Sequence, residues 1–198
     1  MKKTLFVICI LASAVLFMPS AEAIPITYEA NLSGLNEDPP NASPGNGYAL
    51  VVIDTDVHLL HVNATFSGLT GITTAAHIHA PTAVPGTGVA GVATQTPSFF
   101  GFPLGVNSGN MDQIFDLTSA ASWNPSYITA NGGTVDGAEA ALAAAMADGK
   151  AYFNIHTTFR PAGEIRGFLT PVPEPGTMLL LGSGLAGLVG YGRRRFKK

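Results

Sequence analysis

Apolar and polar residues alternate in short runs along most of this chain, and the runs are separated by turn chemistry. Ile26, Tyr28, Ala30 and Leu32 recur at every second position. Successive side chains of a strand point to opposite faces, so this spacing predicts a strand with one face in a core. Tyr48 to Ile53 is a continuous apolar run and predicts a buried strand. After the tight turn Asp54-Thr55-Asp56, alternation resumes from Val57 to Ser67. There Leu60, Val62, Ala64 and Phe66 oppose His61, Asn63, Thr65 and Ser67, which predicts a hairpin. Thr73 to Ala80 reads as a further strand. Pro81 to about Asn110 is rich in Gly, Pro and Thr and reads as loop with one short strand. Ala151–Phe159 and Glu164–Leu169 alternate again. Between them Arg160-Pro161-Ala162-Gly163 has the residues of a closing turn.

The period becomes helical only once, in Thr134 to Lys150. Asp136 with Glu139 three residues later suggests a capping box, Leu142 and Met146 share a face at i, i+4, and Gly149 is a stop. Trp123 and Tyr127, just before this helix, are expected to plug the end of the domain in preference to stacking on sugars. The pattern predicts an all-β antiparallel fold with one short helix.

The two ends follow other rules. Lys2 and Lys3, the apolar stretch Leu5–Met18, Pro19 and the small residues Ala21 and Ala23 make up a secretory signal, with cleavage expected after Ala23. At the other end Val172-Pro173-Glu174-Pro175 precedes an uncharged stretch, Thr177–Tyr191, and then Arg193, Arg194, Arg195, Lys197 and Lys198. The stretch is about one turn short of the ~20 residues of a stable span, and basic residues favour the cytoplasmic side. These parts in this order resemble the PEP-CTERM sorting signal of Gram-negative bacteria. That resemblance implies recognition of Pro173, Glu174 and Pro175 by an exosortase-type membrane protease, in a host that makes exopolysaccharide. A retained tail anchor is the competing reading. The expected organisation is a signal helix over 1–23, a β domain over 24–171 and a sorting segment with a hydrophobic helix over 172–198. Signal peptidase and the exosortase are the implied partners, and the cell surface or extracellular matrix the destination.

Removing both ends changes the charge. The whole chain is near −3, but residues 24–171 hold 11 carboxylates against Lys150, Arg160 and Arg166. A surface near −8 argues against nucleic acid and anionic lipid as partners. Cys9 is the only cysteine and lies in the leader, so the exported part has neither disulfide nor thiolate ligand. No Gly-x-Ser-x-Gly elbow, phosphate loop or His-Glu-x-x-His helix is present, and a non-enzyme is expected.

Two segments are more specific than generic strand: "TAAHIHAP", Thr74–Pro81, and "AYFNIHTTFRPAGEIRGFL", Ala151–Leu169. With "LSGLNEDPP" near the front they resemble the CHRD domain, named for its repeats in chordin and common in exported bacterial proteins. Ala80 stands where that family usually has glycine. The resemblance implies a Greek-key-like sandwich or barrel, with no settled activity. His77 and His79, two apart on a strand, share a face, and His156 lies on another strand with Tyr152 and Asn154. Two readings are open. The histidines can complete a buried polar network, with Glu164 and Arg166 as partners and no cofactor. Alternatively, three neutral imidazoles can hold copper or zinc. The His-x-His strand with a later His strand also resembles that of copper/zinc superoxide dismutase as an architecture, without its zinc loop or disulfide. His58 and His61 are expected to be solvated. The leading function is an envelope or matrix binding or structural module, with exopolysaccharide as a possible partner. The alternative is a three-histidine metal site with redox activity.

The tail yields the first testable outcome. Protein from the native host should end near Pro173–Pro175, as read by intact-mass spectrometry. A full tail on most matrix molecules would leave the anchor reading.

Overall fold

Only five residues, Gly68–Ile72, join the third strand to the fourth, yet these strands stand five places apart in the sheet. In a flat sheet that separation would be about 24 Å, at ~4.8 Å per strand. Six Cα steps span at most about 20 Å. The sheet therefore has to curl until its ends approach each other. The computed structural model, which describes residues 25–173 with Gly176, Ser183 and Gly184, shows that half-barrel. Its strands are β1 (Ile26–Ser33), β2 (Asn46–Asp54), β3 (Leu59–Ser67), β4 (Thr73–His79), β5 (Gly109–Asp116), β6 (Tyr152–Thr157), β7 (Ile165–Phe168) and β8 (Thr170–Pro171). Their order is β4-β6-β7-β1-β2-β3-β5, every pairing is antiparallel, and β8 adds to β1. The all-β antiparallel expectation holds in this form. The signal segment and most of the sorting tail lie outside the described residues. Among the described residues no helix is long and apolar enough to cross a membrane.

The concave face is the core. Tyr28, Ala30 and Leu32 of β1, Ala49, Val51 and Ile53 of β2, and Leu60, Val62, Ala64 and Phe66 of β3 all point inward. Within the run Tyr48–Ile53, Ala49, Val51 and Ile53 face the core, while Tyr48, Leu50 and Val52 look outward. Ile26, expected inside, is exposed at the rim. β5 was not expected. Met111 and Phe115 face the core, but Gln113 between them breaks the apolar alternation that would have announced it. Residues 92–107, lying between β4 and β5, supply backbone and side-chain bonds to the free edge of β4. Ala93 N–H donates to Ile78 O, Phe99 N–H to Ala76 O, and Thr94 Oγ1 accepts from Ile78 N–H. An unpaired strand edge is thereby covered.

Two helices close the domain: α1 (Pro125–Ala130), a short unforeseen one, and α2 (Val135–Ala147). The cap of α2 is Thr134, whose Oγ1 accepts from Gly137 N–H, and not Asp136. Glu139 does not turn back on the cap. It is buried and takes a 2.7 Å hydrogen bond with His58 Nδ1, so His58 is anchored and not merely solvated. His61 likewise pairs with Asp112 across β3 and β5 at 2.5 Å. Leu142 and Met146 are fully buried as the i, i+4 spacing requires. Trp123 plugs the interior, with its Nε1–H donating to Leu117 O and its ring parallel to Tyr127.

Glu164 is the point where the closing hairpin is fastened. It is fully buried. Its carboxylate accepts from Ser43 Oγ (2.6 Å), Thr157 Oγ1 (2.5 Å) and the N–H groups of Thr70 (2.6 Å) and Gly71 (3.1 Å). Burial pushes its pKa up, but these donors outweigh burial and hold it below the usual value. The hairpin itself is as expected: β6 and β7 pair from Tyr152↔Phe168 to Ile155↔Ile165, and Gly163 at the turn has φ 135°. A side chain at Gly163 would also meet the Asn154 amide at 2.6 Å and Glu37 Oε1 at 2.8 Å.

Glu164→Gln replaces one acceptor oxygen by an amide N–H₂ that faces donors. It should cost about 2–4 kcal/mol of stability, read by urea unfolding. A loss below ~1 kcal/mol would mean the loops do not depend on this carboxylate.

Candidate metal centre

β4 and β6 place three histidines on the convex face of the sheet, opposite the core. His77 and His79 are two apart on β4. The register pairs Ala75 with His156, His77 with Asn154 and His79 with Tyr152, so His156 lies beside the β4 pair. This face is not open. The loops at 34–41, 80–92 and 158–163 cover it, and the three histidines are only 6%, 8% and 9% exposed. Their ring centroids stand 4.8 Å (His77–His79), 4.6 Å (His77–His156) and 5.7 Å (His79–His156) apart. One nitrogen from each can be chosen so that all three lie within 4.8 Å of one another. Two nitrogens bound to one ion at 2.0–2.1 Å stand at most about 4.2 Å apart, so the rings would have to draw slightly together to share one.

The outward nitrogens are already engaged. His79 Nδ1 lies 2.8 Å from Ala90 O, and His156 Nδ1 lies 2.9 Å from Pro161 O. A carbonyl only accepts, so both Nδ1 atoms carry the proton and both Nε2 lone pairs are left for the interior. Neither Nε2 has a partner. Neither nitrogen of His77 makes a hydrogen bond of ordinary geometry, although the Pro97 carbonyl lies close enough to favour its protonated form slightly. Glu164 and Arg166, the partners expected from the sequence, do not fill this role. Glu164 serves the loops behind β6, and Arg166 lies beyond Tyr152. Tyr152 stacks on His79 at 4.8 Å with planes 4° apart, and the Arg166 guanidinium covers the other face of Tyr152 at 4.6 Å. Arg166 is fixed by Asn36 O (2.5 Å) and Gly88 O (2.9 Å), with Glu37 Oε2 at 3.8 Å. The carbonyls of Ala90 and Pro161 carry no sequence signal, because any residue supplies one. Glu37 within "NEDPP" was likewise unremarkable.

The electrostatics keep the rings neutral. Burial, reinforced by His156 and His79, lowers His77 to about 3. Burial lowers His79 to about 4, with the Ala90 hydrogen bond opposing and His156 and Arg166 adding to the fall. Burial lowers His156 against its bond to Pro161. A buried neutral imidazole with a free nitrogen is the form that binds a metal ion.

Lowered histidines make the fold acid-sensitive. Each site gains a proton more readily unfolded, near pH 6.5, than folded. Their stabilisation is complete above pH 6.5 and is lost as pH falls towards about 4 and 3. The melting temperature of metal-free protein should drop by several degrees across that window, at about 4 °C per kcal/mol. His77→Leu should flatten the drop. An equal acid slope in both proteins would assign the sensitivity elsewhere.

The profile of the CHRD domain matches residues 28–169, a span that holds all three histidines and Glu164. That of the PEP-CTERM protein-sorting motif matches 171–195, a span that includes Pro173, Glu174 and Pro175. Neither a curated protein nor a solved structure matches the chain. The second motif implies export and exosortase-dependent sorting towards the cell envelope. With a match from Tyr28 to Leu169 that covers most of the folded half-barrel and all three histidines, the chain belongs to the CHRD-domain family.

Proposed function

We propose that this protein is a non-enzymatic binding or structural module of the cell envelope or extracellular matrix. In this reading its β domain holds one copper or zinc ion on His77, His79 and His156. The observation that carries the metal is the set of four buried ring nitrogens without hydrogen-bond partners on three histidines that each bring a ligand atom within 4.8 Å of the others. A purely structural histidine network would need partners for these atoms. A buried polar atom left unpaired costs about 1–3 kcal/mol, and a shared ion removes that cost at three rings at once. The hydrogen bonds from His79 and His156 to backbone carbonyls support it further, since such bonds orient metal-ligating imidazoles. No general acid or base stands at the cluster: no carboxylate joins the group among the described residues.

The sorting part of the proposal takes the signal at 1–23 as removed after Ala23 and the tail as briefly membrane-held, then cut. Exopolysaccharide or another envelope polymer is the proposed surface partner, and the acidic exterior excludes nucleic acid. Tag-free protein loaded with copper or zinc, then desalted, should retain about one ion per chain by elemental analysis. His79→Ala with His156→Ala should retain less than about a tenth. Retention below that level in the unaltered protein would overturn the metal centre and leave the structural module.

A further inference from the structure

We infer that the three-histidine centre is built for monovalent copper in preference to divalent copper or zinc. This rests on the metal reading above and specifies the ion. The cluster offers three neutral nitrogens and no anion: neither carboxylate nor thiolate joins it among the described residues, and the exported part has no cysteine. The groups that orient His79 and His156 are neutral carbonyls, not carboxylates that would spread negative charge onto the rings. Zinc, by contrast, usually has a fourth ligand, and in three-protein-ligand sites that is water or substrate in an open position. Here the ligands are covered by three loops.

A fixed positive charge stands behind the cluster. His79, Tyr152 and Arg166 form one stack, with spacings of 4.8 and 4.6 Å, so the guanidinium lies within the sum of these distances from the His79 ring. With the rings neutral, the guanidinium of Arg166 is the charge that acts on His79, and it opposes a further positive charge there. Glu37 is the carboxyl beside Arg166, 3.8 Å from Nε, and burial raises it to about 7 although Arg166 pulls it down. It is therefore an incomplete counter-charge at neutral pH. The cost of burying an ion rises with the square of its charge, so a divalent ion here costs about four times as much as a monovalent one. The arrangement also disfavours losing an electron from bound copper, because oxidation would place a second positive charge in the same uncompensated space.

The test uses the folded, tag-free protein without oxygen. One equivalent of Cu(I) is added, then ten equivalents of zinc, and the sample is opened to air. Copper should stay bound against zinc, and the air-exposed sample should give no Cu(II) signal by electron paramagnetic resonance over an hour. Displacement by zinc, or a bound Cu(II) signal from the same histidines, would overturn the preference while the metal centre itself stood. Failure to retain any of the three ions at one equivalent would overturn both. Arg166→Met should raise the affinity for Cu(II) relative to Cu(I) about tenfold. If that variant does not fold, the measurements on the unaltered protein decide alone. If it folds with an unchanged ratio, the charge argument fails.

Discussion

A single buried carboxylate holds the closing hairpin to the rest of the domain. Glu164 draws together Ser43 from the loop before β2, Thr70 and Gly71 from the link between β3 and β4, and Thr157 at the end of β6. These segments are distant in sequence and belong to opposite ends of the strand order. The curled sheet brings them together, and the carboxylate satisfies donors that would otherwise be buried without partners. The Asn41 side chain donates to the backbone carbonyl of the same residue, which adds a fifth tie. β7 follows directly, so the position of Arg166 depends on this anchor, and the stack behind His79 depends on Arg166.

The second constraint is backbone proximity. A Cβ at Gly167 would come within 2.4 Å of Asn31 O on β1. The closest approach of β7 to β1 therefore requires a residue without a side chain. Anchor and glycine stand three residues apart in "GEIRG". That segment sets where the hairpin sits, and the hairpin carries His156 to the β4 pair.

The sequence was legible where one physical rule decides locally. Strand alternation located β1, β3, β4, β6 and β7, because burial of one face leaves a period of two. The same rule put His77 and His79 on one face and His156 with Tyr152 and Asn154. It failed at β5, where Gln113 occupies an inner position, and at the α2 cap, where Thr134 outcompeted Asp136 for the first free N–H groups. It misplaced Glu139, which looked like a helix-terminal acid and is instead the buried partner of His58. That contact joins the β2–β3 turn to α2 across 81 residues, and no local pattern reports it. The three histidines were legible as residue types and their orientation was not, since the atoms that orient His79 and His156 are backbone carbonyls, which any residue supplies.

One more feature concerns the ends of the domain. β8 pairs with β1, with Tyr28 opposite Pro171, and Val172 N–H donates to Thr27 O. The chain thus enters and leaves the folded body on adjacent strands. Both segments read as membrane-directed, the leader before Ala23 and the tail after Val172, attach at one corner. An attachment through either segment would therefore hold the domain at this same corner. Val172 also makes the last sheet bond among the described residues, so the ladder of the domain is complete before Pro173-Glu174-Pro175 begins.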